Sequence, residues 1–305
     1  MGIVEAILLT IITAATPLAI AALGELVVER SGVLNLGVEG MMIIGAATGF
    51  AAAIVTGSTL LGFLAGMAAG MLLAAVFAAL ALGLAANQVA TGLALTILGI
   101  GLSGLIGRDF VGARREPLAK IVIPGLSDLP VVGKVLFAQD PIVYFSVVLA
   151  IGVWWFLRKS RRGLVLRAVG ESHASAHALG YPVLRIRFLA VLFGGACSGM
   201  AGAYLSLAYT PFWSPGMTAG RGWIALAIVV FASWLPLRAM IGAYLFGGVT
   251  VLQLHAQARG WGIPSQAMSA LPYLATILVL VVISLRRRGE SQGPASLGTP
   301  FVPDR

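Results

Sequence analysis

A chain of 305 residues that is 59% hydrophobic, 10% charged and formally +9, with a mean hydropathy of +0.98, is not a water-soluble domain, in which about a quarter of residues carry charge. The positive charge does not mark a nucleic-acid binder, because much of it lies in loops flanking apolar runs, where Lys and Arg set orientation in a bilayer. A transmembrane barrel is excluded too, since its strands are short and alternating, not uncharged for roughly 20 residues at a time.

The first apolar run, about 3–24, has no Lys or Arg before Arg30, so it lacks the basic leader of a cleaved signal peptide and is expected to be a retained span. The stretch from Glu25 to Gly40 (ELVVERSGVLNLGVEG) then sets charged and polar residues among apolar ones, with glycines at 32, 37 and 40. Two readings stay open. One is a turn between spans; the other is a helix broken at membrane depth, with Asn35 or Glu39 facing a water-filled cavity. A carboxylate such as Glu39 is expensive in lipid, which makes it a candidate for the substrate pathway.

Segments at about 36–56 and 60–86 follow, the second without a charge, and Gly45 and Gly49, then Gly62, Gly66 and Gly70, sit four residues apart. Small residues at that interval let membrane helices approach closely. Asn87-Gln88-Val-Ala-Thr91-Gly92 is a second interruption, either a short turn or a place where Asn87 and Gln88 line a pathway. The next run, 89–107, contains Gly99-Ile-Gly-Leu-Ser-Gly104, a formal match to a dinucleotide fingerprint that lacks the preceding strand it needs and is discarded. The 108–140 loop, with Arg108, Arg114, Arg115, Lys120 and Lys134, is placed on the outer surface.

Beyond the apolar segment 141–157 lies a basic loop, 158–187, carrying Arg158, Lys159, Arg161, Arg162, Arg167, Arg185 and Arg187. The positive-inside rule puts it in the cytoplasm. Within it, Ser172 can cap a short helix, Gly180 suits the position after its last turn, and Pro182 stops continuation. Ala174, Ala176 and Ala178 give that helix a slim surface fit for a groove on a partner, and it is too short to be stable alone. The bland alternative is a helix lying on the membrane surface. His173 and His177 lack a third ligand beyond Glu171, so no metal site is assigned.

Four further apolar segments, about 187–208, 222–234, 239–256 and 267–285, complete a set of nine. Gly195 and Gly199 continue the small-residue spacing, and Cys197 is expected to be a buried, inert thiol. Nine crossings would leave the N-terminus outside and the C-terminus inside. The expected fold is all-α: a polytopic helical membrane bundle of about 8–10 transmembrane segments with broken or re-entrant helices. Residues 1–286 are expected to form one transmembrane domain, and 287–305 a disordered cytoplasmic tail with little to bury.

Several stretches together resemble the permease subunits of bacterial ABC importers of the branched-chain amino acid, ribose and nucleoside group, closest to the nucleoside (simple-sugar-type) permeases. They are Glu29 to Met41, Asn87 to Leu95, Arg167 to Glu171, Gly195 to Leu207, Gly220 to Leu226 and Gly242 to Gly247, covering most of the chain. The resemblance implies a coupling helix in the 163–182 loop, with Arg167, Glu171, Ala174, Ala178 and Gly180 at or near a separate ATPase subunit. The acidic-Ala-Ala-then-Gly pattern of many such permeases is present here only loosely, as Glu171, Ala174 and Gly180. It further implies a second permease chain, an extracytoplasmic substrate-binding protein, and a bacterial inner-membrane location. No phosphate-binding Gly-x4-Gly-Lys-Ser/Thr loop occurs in the sequence, so no cofactor is assigned to this chain and ATP belongs to the partner. A nucleoside is the first substrate expected, with a branched-chain amino acid or simple sugar as the alternative. A stand-alone secondary transporter would need ionisable residues inside spans, and an enzyme would need a catalytic constellation that the sequence lacks.

Overall fold

The computed structural model describes residues 3–122, 132–258 and 293–303, with isolated positions within 124–127 and 267–281. Its elements are α1 (Ile3–Arg30), α2 (Val38–Thr56), α3 (Thr59–Ala78), α4 (Gln88–Gly107), α5 (Val132–Phe137), α6 (Pro141–Lys159), α7 (Arg161–Glu171), α8 (His173–Ala178), α9 (Val183–Tyr204), α10 (Arg221–Phe231) and α11 (Pro236–Ala258). Single π-turns extend α3 to Gly83 and α9 to Tyr209. In the loop after α4, β1 (Ile121–Val122) pairs antiparallel with β2 (Ala138–Gln139).

Among the described residues, seven helices are long and apolar enough to cross a bilayer. The expected helical bundle is therefore present. Segment 222–234 is not a full span: α10 has 11 residues, roughly 16 Å at 1.5 Å per residue, against a hydrocarbon core of about 30 Å. Segment 267–285 lies outside the continuously described residues. The stretch before α10 is irregular. Its Pro211 carbonyl accepts from the Arg115 N–H of the 108–140 loop, and Trp213 is buried against Gly107 at the end of α4.

The centre of the bundle is α9, packed against α1, α2 and α3. Its buried run Gly194-Gly-Ala-Cys-Ser-Gly199 presents almost no side chain, so neighbouring backbones come into direct contact. A Cβ at Gly45 would fall 2.6 Å from the Gly199 Cα, and one at Gly66 2.9 Å from the Gly45 carbonyl oxygen. A Cβ at Gly70 would fall 2.8 Å from the Gly199 Cα. The glycines expected to pack helices thus meet one another, in a three-helix contact of α2, α3 and α9. Lipid supplies no hydrophobic force between helices, so contact area at close range is what holds them. Gly99 packs on Gly40 across α4 and α2, which is the use the discarded fingerprint motif finds here. Cys197 lies buried against Gly24.

A polar tie supports α9: the Tyr204 hydroxyl donates to Asp140 Oδ2 at 2.8 Å, while Asp140 Oδ1 caps α6 by accepting from Ile142 and Val143. Large apolar side chains such as Leu72, Ile97, Val148 and Ile241 point outward, the surface a bilayer would solvate.

Residues 293–303 are the described part of the segment expected to be a disordered tail. They are folded back on the 158–187 loop, because backbone groups of that loop and of the α1–α2 connection offer them partners. The remainder of 287–305 lies outside the described residues.

Candidate functional site

Two regions bear on function, the first being the break between α1 and α2. Residues 31–37 leave the helix because Ser31 and Gly32 turn the chain, with Gly32 at φ +87°, a conformation glycine adopts without strain. Asn35 is fully buried, and its Oδ1 accepts from the Gly37 N–H at 2.9 Å, holding the break in shape. Gln88 is buried alongside: its Oε1 accepts from the Leu34 N–H at 2.8 Å, while its amide nitrogen has no partner among the described residues. Thr96 donates to the Leu36 carbonyl at 3.1 Å. The second interruption therefore braces the first.

Glu39 lies in the first turn of α2 and is 5% exposed. Its carboxylate accepts from Thr218 Oγ1 at 2.6 Å, the Gly220 N–H at 2.9 Å and the Gly222 N–H at 2.7 Å. Gly220 is the residue at which α10 begins, so Glu39 answers the unsatisfied N–H groups of that half-helix. It also places a negative charge where the dipoles of α2 and α10 both favour one. Gly222 is a requirement of this arrangement, since a Cβ there would fall 2.5 Å from the Glu39 backbone. Asn87 stands apart: it is exposed and caps α4 by accepting from the Ala90 N–H at 3.0 Å. Of the four pathway candidates the structure brings Asn35, Glu39 and Gln88 together and leaves Asn87 outside. None of them lines the cavity of about 410 Å³ beside Leu82 and Leu184 or that of about 480 Å³ beside Arg115 and Phe212.

Two carboxylates join this region that sequence reasoning did not single out. Glu25 and Glu29, one turn apart at the end of α1, are buried. Glu29 Oε2 accepts from Trp234 Nε1 at 2.6 Å, and Arg30 donates to the Trp234 carbonyl at 3.2 Å. Their spacing of four on an apolar helix was the available signal. Glu39 at its start and Trp234 just past its end thus fasten α10 to the two sides of the break.

The second region is the 158–187 loop. Ser160 caps α7, accepting from the Gly163 N–H at 2.9 Å. Ser172 Oγ caps α8, accepting from the Ser175 N–H at 3.2 Å. Gly180, at φ +84°, turns the chain after α8, so the capping and stop signals read from the sequence are all in use. Ala174, Ala178 and Gly180 are exposed, while Ala176 is buried with Val169 and Val183. Beside them Leu179 is 77% and Tyr181 40% exposed, two apolar side chains the sequence reading passed over. Arg167 is half-buried; Glu171 is exposed, with Oε2 accepting from the Ala295 N–H at 3.4 Å.

Arg187, one of the seven cations of that loop, is buried and 0% exposed. Nε donates to the Ser31 carbonyl at 3.1 Å, Nη1 to the Thr299 carbonyl at 3.2 Å, and Nη2 to His173 Nδ1 at 3.3 Å. Burial, and after it the Arg187 cation, hold the His173 imidazole below its ordinary pKa. Both His173 and His177 pack their rings on Phe301, with centroids 5.1 and 5.3 Å apart.

Residues 7–284 match the family described as branched-chain amino acid transport system / permease component. The chain is 44% identical, over 94% of each chain, to a putative glucose ABC transporter permease protein, TsgC13, of Haloferax volcanii. It is 34% identical to the guanosine ABC transporter permease protein NupQ of Bacillus subtilis, over 94% of this chain and 93% of that one. It is 31% identical to the nucleoside ABC transporter permease protein NupC of Lactococcus lactis, with the same coverage.

Proposed function

The chain belongs to the permease-component family of branched-chain amino acid transport systems, and from that premise we propose that it is the membrane-spanning part of an importer whose energy comes from a separate ATPase subunit. It is a transporter permease subunit, not an enzyme. The observation that carries the coupling reading is α8: a capped six-residue helix, its alanine and Leu179 surface exposed, held between two spans on a loop rich in cations. Such a helix has no stability of its own, so it can follow a docked partner only by moving the elements that support it. ATP binding and hydrolysis in that partner would displace α8, and the bundle would open alternately to the two sides.

In this reading the carrier works with a second permease chain and an extracytoplasmic binding protein in the cytoplasmic membrane, with the 158–187 loop and the C-terminus inside. Arg167 and Glu171 flank the docking surface, with Ala174, Ala178 and Gly180 on it. Asn35, Glu39 and Gln88 act on the pathway through the shape of the α1–α2 break. Asn87 is kept as an exposed candidate at the end of the same region.

The solute is a nucleoside, supported by the similarity to NupQ and NupC. A simple sugar is the second reading, favoured by the higher identity to TsgC13. Both present a ring dense in hydroxyls. Uptake of labelled guanosine challenged with glucose, a pentose and leucine separates them: guanosine uptake blocked only by nucleosides supports the first, and glucose uptake indifferent to nucleosides overturns it. Copurification of an ATPase with the tagged chain tests the class. Substitution of Arg167 or Glu171 should uncouple ATP hydrolysis from uptake while sparing membrane insertion, and coupling that survives both overturns the docking assignment.

A further inference from the structure

The partners of Arg187 belong to three segments far apart in the chain: Ser31 in the break, His173 at the start of α8, and Thr299 near the C-terminus. Around this group the C-terminal segment is bonded to both of the others. Ser296 donates through its N–H to the Gly170 carbonyl at 2.9 Å and through Oγ to the Glu171 carbonyl at 3.2 Å. Gly298 N–H donates to the Gly32 carbonyl at 3.2 Å. Phe301 closes the end of the segment, packing on Val169, Ala176 and Val183 as well as on the two histidine rings. Gly170 itself lies against the Arg30 carbonyl with no room for a side chain.

Backbone groups provide most of these bonds, so the segment, turned at 295–298, ties the 158–187 loop to the α1–α2 break. Its exposed neighbours Leu179 and Tyr181 point elsewhere, to solvent, and the Ser172 cap and Gly180 turn of α8 do not involve it. The contact of α8 with a partner and the link from α8 to the bundle are thereby separate features.

We infer that residues 293–303 are a strap that carries displacement of α8 to the α1–α2 break, and through the break to Glu39 and the start of α10. The inference rests on the reading of α8 as the ATPase contact. Phe301 and Arg187 act as positioning residues, since Arg187 is buried and Phe301 packs against Val169, Ala176 and Val183.

The test uses the reconstituted importer, with wild type, a chain ending at Gln292, Phe301→Ala and Phe301→Tyr. Four quantities are read: permease in the membrane, ATPase captured, ATP hydrolysed and solute taken up. The truncated and Phe301→Ala chains are expected to insert, capture the ATPase and hydrolyse ATP as wild type does. Solute taken up per ATP should fall at least about fivefold, the lower end of coupling between linked sites. Phe301→Tyr, which keeps the ring, should retain wild-type coupling. An unchanged ratio in the truncated chain overturns the strap, as does a loss that merely tracks the amount of permease or captured ATPase. A wild-type chain that captures no ATPase overturns the docking reading instead.

Discussion

Replacing Glu39 by alanine distinguishes a carboxylate that holds the fold from one that touches solute. The substitution removes the acceptor of the Gly220 and Gly222 N–H groups and leaves both donors at the start of α10 without it, together with the Thr218 hydroxyl. Hydrogen bonds to a charged group contribute about 1.5–3 kcal/mol each, so the two backbone donors alone represent about 3–6 kcal/mol. At roughly 2–4 °C per kcal/mol, the detergent-purified variant should melt at least about 6 °C below wild type. Limited proteolysis should show new cleavage between Pro211 and Gly220, because Glu39 is what holds the end of that segment. Glu39→Gln should recover only part of the loss, since its amide oxygen can keep the bonds of one carboxylate oxygen while its amide nitrogen cannot accept from a backbone N–H. A variant that loses uptake while its melting temperature and cleavage pattern stay those of wild type would refute the clamp and restore Glu39 as a direct solute contact.

Three other outcomes follow from the same geometry. Gly45→Ala forces a methyl against the Gly199 backbone and should cost about 1–3 kcal/mol in overpacking, read as a lower melting temperature, whereas Gly101→Ala and Gly104→Ala, with nothing within 4 Å, should be neutral or slightly stabilising. Gly180→Ala puts a Cβ at φ +84° in open space, so it should strain the end of α8 by about 1 kcal/mol and weaken ATPase capture with no change in overall melting. The tail contact should loosen on acidification. His173 is depressed in the fold, so it takes up its proton first in the state with the tail released, and the stabilisation present above about pH 6.5 is lost as pH falls through the lower folded value. Carboxypeptidase trimming of the C-terminus should therefore accelerate below about pH 6.5, and His173→Gln, which keeps an acceptor for Arg187, should flatten that dependence.

Much of the architecture was legible in the residues themselves. Long uncharged runs can only be helices in lipid, because every backbone group must be satisfied within its own segment. The Ser172, Gly180 and Pro182 signals around α8 were legible because capping and left-handed turns are settled within a few residues. Glycines four apart announced close contacts, though not which helix each would meet. What the tertiary structure decided are the pairings across long stretches of chain: Glu39 with Gly220 and Gly222, Glu29 with Trp234, and Arg187 with Ser31, His173 and Thr299. An arginine near a span end reads as a surface charge from its neighbours alone; it becomes a buried hub only because three separate segments bring acceptors to it. The half-length of α10 and the folding back of 293–303 have the same origin. Solvation and local geometry are properties of a short stretch, whereas a polar group in a bundle takes whatever partner the packing brings within reach, and that is set by the whole chain at once.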